Sequence, residues 1–328
     1  MTTLVDRFNR PHHDLRISLT DRCSLRCTYC MPAEGVPWLA RSTMLSTDEI
    51  LRVARVGVEN GITEIRLTGG EPLLRVDVVD IVRRLTALPN APEVSITTNA
   101  LRLPGLAAPL KDAGLSRVNI SLDTLDRGRF MELTRRDRLV DTLAGIAAAD
   151  AAGLHPVKIN AVAMRGVNDD EVVALTRFAV ERGYQMRFIE QMPLDGGHTW
   201  DRVQMVTQAE ILERLTSEFT LTEVEGRGAA PAELWYVDGG PQTVGVIASV
   251  TAPFCGSCDR LRLTADGQLR ACLFSEAEVD TREILRSGGS DDDLVDAYRR
   301  CLAGKKAGHG IGEPGFHQPD RPMSAIGG

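Results

Sequence analysis

The chain contains 328 residues, of which 43% are hydrophobic and 25% charged, and its formal net charge at pH 7 is −7. This composition is typical of a globular protein too long for one ordinary domain, and the negative charge argues against general affinity for nucleic acid. No run of apolar residues is long enough to span a membrane, and the N-terminus does not resemble a secretory signal. The seven cysteines are grouped, which favours metal ligands in a reducing, cytoplasmic compartment over disulfides.

The first predicted strand covers residues 15–20, where apolar and polar side chains alternate. Directly after it, Cys23, Cys27 and Cys30 stand in a C-x3-C-x2-C spacing. Gaps this short bring three soft sulfur ligands together at a low entropic cost of loop closure. Three ligands leave one iron of a [4Fe–4S] cluster open, as the binding and cleavage of S-adenosylmethionine requires. A partial zinc site or a chance group of buried thiols is the alternative.

Strand and helix patterns then alternate along the chain, which predicts a parallel sheet with helices outside it. Six such strands before residue 190 favour an α/β fold with an incomplete (βα)6 barrel of the TIM type over a complete eightfold one. Strands are predicted at 64–68, 93–97, 118–122, 157–162 and 186–189, helices at 48–60, 77–87, 106–113, 139–152, 169–182, 208–219 and 291–303, and a hairpin at 234–237 and 243–247.

One face of these strands carries polar side chains, whereas a barrel interior that serves stability alone has branched apolar ones. Because a buried, unpaired cation is costly, four strands that each carry a cation predict a polar cavity that holds an anion. Exposure at strand ends explains any single residue of this set but not all four cations. The set comprises Arg16, Ser18, Thr20, Arg66, Thr68, Ser95, Thr97, Asn99, Asn119, Ser121, Lys158, Asn160 and Arg187.

The second predicted strand ends in Thr68-Gly69-Gly70-Glu71-Pro72. Glycines let another molecule approach the backbone closely, and the Glu71 carboxylate can accept hydrogen bonds from an amine. By itself, a Gly-Gly pair at a strand end often marks only a turn.

A stretch rich in Pro, Gly and Asp over residues 192–201 indicates a boundary. We therefore predict a partial barrel over residues 1–200 and a C-terminal α+β domain over residues 201–310. Residues 311–328 are predicted to form a tail that ends in Gly-Gly.

A second cysteine group lies in the predicted C-terminal domain, where Cys255 and Cys258 form a C-x2-C pair and Cys272 follows. A structural zinc ion usually has four protein ligands, and no further thiol or histidine follows at the usual spacing, so a second cluster is favoured over zinc. Between these cysteines, Arg260 and Arg262 alternate on a short strand and can grip a polyphosphate. A solvated edge strand is the alternative.

The motifs C-S-L-R-C-T-Y-C-M-P, T-G-G-E-P-L-L-R, R-F-I-E-Q-M-P-L and F-C-G-S-C-D-R-L-R-L-T, with the terminal Gly-Gly, resemble the GTP 3′,8-cyclase family of the radical S-adenosylmethionine superfamily. The resemblance implies conversion of GTP to 3′,8-cyclo-7,8-dihydro-GTP, an early step of molybdenum cofactor synthesis. It also implies two [4Fe–4S] clusters and S-adenosylmethionine as cofactors. One departure is Asp259, where the family usually has Asn.

The resemblance also implies a role for each matching residue. The ligands of one cluster would be Cys23, Cys27 and Cys30, and those of the other Cys255, Cys258 and Cys272. The S-adenosylmethionine site would comprise Tyr29, Gly70, Glu71, Ser121 and Met192, and the GTP site Arg16, Arg66, Thr97, Lys158, Arg260, Leu261 and Arg262. The residues implied to be catalytic are Arg16, Arg260, Arg262, Gly327 and Gly328.

The partners implied are GTP as substrate, an electron donor, a downstream pterin synthase and a second copy of the chain in a homodimer, with neither nucleic acid nor membrane. Two rival functions stay open. One is a zinc-binding module whose arginines bind nucleic acid. The other is a radical enzyme that acts on a peptide or on another nucleotide.

Overall fold

A computed structural model describes residues 3–327 of the chain. Its first half contains six strands that pair in parallel in chain order, as alternation of strands and helices predicts. The strands are β1 (Asp14–Ser18), β2 (Glu64–Thr68), β3 (Glu93–Thr98), β4 (Arg117–Ser121), β5 (Lys158–Ala163) and β6 (Gln185–Glu190).

Helices cover the outer face of these strands, where the apolar side chains of each strand are buried. Leu15 and Ile17 of β1, for example, are both 0% exposed. The first helix begins at a capping box in which Ser46 and Glu49 each bond the other's backbone N–H group. The helices of this half are α1 (Thr47–Glu59), α2 (Val78–Thr86), α3 (Leu103–Asp112), α4 (Arg127–Thr134), α5 (Leu139–Ala151) and α6 (Val172–Val180).

The C-terminal part of the chain adds strands to both edges of the same sheet. Within residues 3–327 the sheet has twelve strands, in the order β12-β11-β10-β1-β2-β3-β4-β5-β6-β9-β8-β7. Both contacts with the central strands, β10 with β1 and β9 with β6, are parallel. The added elements are α7 (Gln208–Thr216), β7 (Leu221–Glu223), β8 (Glu233–Val237), β9 (Thr243–Ile247), β10 (Arg260–Leu263), β11 (Gln268–Arg270), β12 (Val279–Asp280), α8 (Thr281–Arg286), α9 (Asp291–Ala303) and α10 (Met323–Ile326).

The central architecture is thus the predicted partial barrel, and the predicted helix at 291–303 has the observed bounds of α9. The pattern at 169–182 is instead a 3-10 turn, Asp169–Glu171, followed by α6. The short elements α4, β7, β11, β12, α8 and α10 were not predicted, because too few residues repeat for a period to show. Among the described residues, no helix combines the length and apolarity needed to cross a membrane.

Candidate active site

The first cysteine loop follows the carboxyl end of β1, and its thiols Cys23, Cys27 and Cys30 are free. The Gly-Gly turn after β2 packs directly against the start of this loop. The backbone N–H of Glu71 donates to the carbonyl of Arg22 at 2.7 Å. A Cβ on Gly70 would overlap the carbonyl oxygen of Arg22, so only glycine fits there.

The Glu71 side chain is buried and holds three protein donors. Its carboxylate accepts from the N–H of Leu73 at 3.0 Å, the hydroxyl of Thr98 at 2.7 Å and the N–H of Asn99 at 2.8 Å. The Asn99 side-chain amide in turn lies 3.8 Å from the Cys23 sulfur. Glu71 therefore ties the ends of β2 and β3 to the cysteine loop, and only part of its accepting capacity remains for an amine.

Tyr29, within the same loop, donates its hydroxyl to Asp123 at 2.8 Å. Asp123 follows β4 and also accepts from the backbone N–H of Val162 at 2.8 Å. Burial raises the pKa of this carboxyl to about 6, and the two hydrogen bonds act against the rise. Asp123 was not singled out from the sequence, where a lone Asp after a strand has no distinctive signal.

The inward face of the sheet carries cations on neighbouring strands. The register aligns Arg262 of β10 with Arg16 of β1, and Arg16 with Arg66 of β2. Further across the sheet, Asn160 of β5 aligns with Arg187 of β6. Pairing of β10 with β1 thus brings together arginines that are far apart in the sequence.

Burial disfavours the charged form of these side chains, and their like charges repel one another. Burial and the charge of Arg66 lower the pKa of Arg16. Burial, followed by the charges of Arg187 and Arg117, lowers the pKa of Lys158 to about 7. For Arg187, burial and the charge of Arg66 lower the pKa to about 9. An anion bound between these side chains would offset both the cost of burying the charges and their mutual repulsion.

The partners of these cations in the described residues are few. Asp14 lies 3.6 Å from the Arg16 guanidinium, and Glu64 also acts on Lys158. The buried Nε of Arg16 and the buried Nε of Arg260 have no hydrogen-bond acceptor. Unpaired buried donors of this kind require a ligand or water to satisfy them.

The second cysteine loop precedes β10, whereas the first follows β1. Because these strands are parallel neighbours, the two loops lie at opposite ends of the strands, with Arg16 and Arg262 between them. Cys258 accepts from Arg260 at 3.4 Å and lies 3.7 Å from the buried ammonium of Lys305. Burial opposes ionisation, but the charges of Arg260 and Lys305 lower the pKa of the Cys258 thiol to about 7.

Arg10 holds this loop from the N-terminal segment. Its guanidinium donates to the carbonyl oxygens of Cys255 at 2.5 Å and Lys306 at 2.8 Å, and Asp6 fixes its orientation at 2.6 Å. Neither Arg10 nor Lys305 was singled out from the sequence, because both contacts join segments that are distant along the chain.

The C-terminal tail ends between the two loops. Ser18 of β1 donates to the carbonyl of Ile326 at 3.0 Å, and Arg262 donates to the carbonyl of Gly327. A Cβ on Gly327 would overlap the Ser18 hydroxyl and lie 2.8 Å from Cγ2 of Thr68. Gly328 lies outside the described residues.

One cavity unites many of the predicted residues, but not all of them. The lining does not include the first three cysteines, Gly70, Glu71, Ser121, Lys158, Leu261 or Gly327, although Lys158 and Ser121 lie on strands whose neighbours line it. The predicted residues that line the cavity are Arg16, Tyr29, Arg66, Thr97, Asn160, Arg187, Met192, Cys255, Cys258, Arg260, Arg262 and Cys272.

The donor sets suit iron–sulfur clusters better than single ions. Within residues 3–327, no group of three His, Cys, Asp or Glu side chains is arranged to hold one metal ion. Each set offers three free thiols. A four-iron cluster takes one thiolate on each of three irons, so its sulfur ligands do not converge on one ion.

Family comparisons divide the chain near the boundary between β6 and the preceding helix. The sequence model of the Radical SAM superfamily matches residues 17–179. The model described as Molybdenum Cofactor Synthesis C matches residues 184–311.

Curated relatives match over nearly the whole chain. A protein named GTP 3′,8-cyclase from Streptomyces coelicolor is 57% identical, over 99% of this chain and 96% of its own length. A protein of the same name from Corynebacterium glutamicum is 55% identical, over 99% of this chain and 89% of its own length.

Solved structures share the fold at low identity. The structure of SuiB from Streptococcus suis bound to S-adenosylmethionine has a TM-score of 0.62 and 16% identity, and the match covers 89% of this chain and 69% of that one. A second SuiB structure has a TM-score of 0.61 and 17% identity, with 90% and 69% covered.

Proposed function

Because the chain belongs to the GTP 3′,8-cyclase family, we propose that its cavity binds GTP beside S-adenosylmethionine and that the residues described above perform the cyclisation. The chain is a radical S-adenosylmethionine enzyme of molybdenum cofactor synthesis with iron–sulfur cofactors. It converts GTP to 3′,8-cyclo-7,8-dihydro-GTP. The observation that carries the assignment of residues is the row of aligned arginines on three adjacent strands, the buried Arg262 and Arg16 and the half-buried Arg66.

We propose that Cys23, Cys27 and Cys30 hold one cluster and that Cys255, Cys258 and Cys272 hold the other. When bound, the first cluster would supply the electron for reductive cleavage of S-adenosylmethionine, and with it the radical chemistry that joins C3′ of the GTP ribose to C8 of guanine; a second electron and a proton would complete the dihydro product. The chain's own contribution is to hold the two substrates in register and to exclude water from the radical.

The S-adenosylmethionine side of the cavity is proposed to involve Tyr29, Gly70, Glu71, Ser121 and Met192. Tyr29 and Met192 line the cavity, which supports contacts with the adenosine moiety. Gly70 lets the turn after β2 pack directly against the backbone of the first loop, and the buried Glu71 keeps one oxygen with a single protein donor. That oxygen is proposed to accept from the methionine amino group.

The triphosphate is proposed to lie along the cation row. Arg16, Arg66, Lys158, Arg260 and Arg262 supply positive charge that the free cavity leaves poorly compensated, and desolvated guanidiniums bind phosphate oxygens strongly. Thr97 and the backbone of Leu261 complete the proposed site, Thr97 from the cavity wall and Leu261 from between the two β10 arginines.

The tail is proposed to favour cyclisation of GTP over cleavage of S-adenosylmethionine without cyclisation. Arg262 contacts Gly327 and lines the cavity, so the chain end is well placed to order the arginine that grips GTP. Gly327 and Gly328 are therefore proposed as catalytic residues that act together with Arg16, Arg260 and Arg262.

The functional division of the chain follows the same scheme. We propose a barrel over residues 1–200, a cluster- and GTP-binding domain over 201–310 and a tail over 311–328, which the two family matches support. We further propose a protein electron donor, a pterin synthase that takes the product, a homodimer and a cytoplasmic location. The free state of all seven cysteines supports a reducing compartment.

Anaerobic turnover tests the function directly. The reconstituted protein is incubated with GTP, S-adenosylmethionine and dithionite, and the products are analysed for the cyclised nucleotide and 5′-deoxyadenosine. GTP should give both products, and ATP should not be cyclised. Formation of 5′-deoxyadenosine without cyclised GTP, but with turnover of a peptide or another nucleotide, would contradict the proposal.

A further inference from the structure

A surface groove beside the first cysteine loop has a charge opposite to that of the chain as a whole. Arg22, Arg41, Arg75 and Arg286 line it, together with the apolar Met44 and Val76, and we call it the basic groove. Asp77 is the only carboxylate among the described residues that line it. The chain itself has a net charge of −7, so this local excess of cations is not a general property of the surface.

Two cations of the basic groove are free to meet a partner. Arg22 and Arg41 are exposed, and within residues 3–327 neither side chain forms an ion pair or hydrogen bond. The other two are held in place: Arg75 donates to Asp77 at 2.8 Å and to the Leu45 carbonyl at 3.1 Å, and Arg286 donates to Glu49 at 2.7 Å and to the Ser42 carbonyl at 2.6 Å. Arg75 and Arg286 are thus fixed by their partners, whereas Arg22 and Arg41 are free to contact an anionic surface.

Val76 adds an apolar contact at the rim of the basic groove. Its side chain is 97% exposed, between the ion-paired Arg75 and Asp77. Protein interfaces commonly combine an apolar contact with a charged rim, whereas binding of a small anion does not need an exposed valine. The combination therefore favours a protein partner.

The position of the basic groove connects it to the first cluster. Arg22 immediately precedes Cys23, and its carbonyl accepts from the Glu71 N–H at 2.7 Å. Arg75 also donates to the Leu19 carbonyl, at the end of β1, at 3.2 Å. A protein seated in the groove thus touches the same short segment that carries the cluster ligands.

We propose that the basic groove docks an acidic one-electron carrier protein that reduces the first cluster, an inference that rests on the function proposed above. One electron leaves the carrier, which is oxidised by one unit, and enters the cluster held by the first three cysteines, which is reduced by one unit. No bond forms or breaks and no proton moves in this step. Charge complementarity guides the encounter and fixes the orientation of the carrier.

A pair of charge-reversal variants tests the proposal with reduced flavodoxin as the probe. Arg22→Glu/Arg41→Glu reverses the free cations of the basic groove. The matched control is Arg299→Glu/Arg300→Glu, which makes the same charge change in a different groove, one lined by five carboxylates, Glu278, Asp280, Glu283, Asp293 and Asp296. Formation of 5′-deoxyadenosine is measured with flavodoxin and, separately, with dithionite.

With flavodoxin, the basic-groove variant should be at least about tenfold slower than the wild type at low salt, and the control should be unchanged. With dithionite, which needs no docking, all three proteins should react equally. Raising the ionic strength should slow the wild type with flavodoxin towards the rate of the variant. Equal rates with flavodoxin for the wild type and the basic-groove variant, or equal losses in the basic-groove variant and the control, would overturn the proposal.

A second variant and a binding assay keep the test independent of turnover. Arg41→Glu/Val76→Asp changes the groove without altering the residue next to Cys23, and it should also weaken flavodoxin binding in a calorimetric titration. A wild type that binds flavodoxin but does not cleave S-adenosylmethionine with dithionite would refute the proposed function and not the docking. An unaltered titration in both variants, with loss of binding to a single-stranded oligonucleotide instead, would refute the docking.

Discussion

The loop around Cys27 and the loop around Cys258 each carry three thiols, of which only those of the second line the cavity, and different side chains surround them. Near the first loop lie Asp123 and Glu71, and burial raises the pKa of Cys23 to about 11. Near the second, Arg260 and Lys305 outweigh burial and lower the pKa of Cys258 to about 7.

This contrast shows how one sheet can serve two ligands of different charge. At the first loop burial and the charges of Glu71 and Asp123 raise the pKa of the Cys23 and Cys27 thiols, with Arg26 acting in the opposite direction at Cys23, and carboxylates nearby are in keeping with S-adenosylmethionine, whose sulfonium carries a positive charge. The second loop shares its cations, Arg260 and Arg262, with the proposed triphosphate site. The parallel pairing of β10 with β1 places the two loops at opposite ends of these strands.

Replacing one cysteine in each loop should have the largest effect, and the effect should differ between the two loops. Cys27→Ala should abolish 5′-deoxyadenosine formation, because a ligand of the cluster that supplies the electron is lost. Cys258→Ala should leave that formation in place while removing about half of the bound iron, since each cluster holds four irons. Iron content per chain and 5′-deoxyadenosine yield are the measurements. Cys301→Ala, a change of a buried thiol in α9, is the control and should retain full iron; equal iron loss in Cys258→Ala and Cys301→Ala would contradict the second cluster.

The C-terminal tail lies between the two cysteine loops, so a change in it should affect the two products differently. Gly327→Val places side-chain atoms where Ser18 and Thr68 already lie, so the chain end should leave its position beside Arg262. Cyclisation should fall at least about tenfold while 5′-deoxyadenosine formation persists. The ratio of the two products is measured by chromatography. Gly315→Val, at a glycine where a Cβ meets nothing, is a control for change in the tail, and an equal fall in that variant would contradict a specific role for Gly327.

Much of this arrangement could be predicted from local patterns. The cysteine spacings, the Gly-Gly turn and the inward cations of β1, β2, β5 and β6 are all visible within a few residues, because strand periodicity fixes which face a side chain occupies. The pairing of β10 with β1 could not be predicted, since it joins residues 14 and 260. For the same reason, the contacts of Arg10 and Lys305 with the second loop carry no sequence signal.

Arg260→Ala should weaken the binding of GTP but not that of S-adenosylmethionine. Removing this guanidinium should weaken GTP binding by about ten- to a hundredfold, the range of one lost charge-assisted contact, and leave S-adenosylmethionine binding unchanged. Calorimetric titration with each ligand checks this. Arg299→Ala, on the exposed side of α9, is the matched control and should change neither affinity. Equal losses for both ligands in Arg260→Ala would indicate a general structural defect.

Lys158 should make GTP binding depend on pH. In the free protein its pKa is about 7, because of burial and the charges of Arg187, Arg117 and Arg66, with Glu64 acting in the opposite direction. Phosphate near the ammonium should raise that pKa, so GTP binding should take up a proton above pH 7 and weaken as the pH rises. The same low pKa in the folded state means that the unfolded chain binds more protons between about pH 7 and 10, so the free energy of unfolding should rise with pH there.

Titrations in buffers of different ionisation enthalpy measure this proton uptake. Lys158→Met should bind GTP more weakly and with less uptake at pH 8. Lys111→Met is the matched control, since Lys111 lies on the outer helix α3 and its ammonium donates to the Gly153 carbonyl at 2.7 Å. Unchanged uptake in Lys158→Met would assign the proton to another group.

The smallest expected effect concerns Asp259, at the edge of the cationic surroundings. Its backbone carbonyl accepts from the N–H of His13 at 3.2 Å, and its carboxylate interacts with the charges of Asp14, Arg260 and Glu64. Asp259→Asn keeps the size of the side chain and removes one negative charge beside Arg260. GTP binding should therefore tighten, by roughly two- to fivefold, because an interaction near a partly solvated carboxylate is worth only about 0.5–1 kcal/mol. S-adenosylmethionine binding should not change, since the first loop lies at the opposite end of the strands. Asp292→Asn, an exposed position at the start of α9, makes the same change in net charge and serves as the control. If both variants tighten GTP binding equally, the effect belongs to the net charge of the chain; tightening in Asp259→Asn alone shows that the field around the second loop is local.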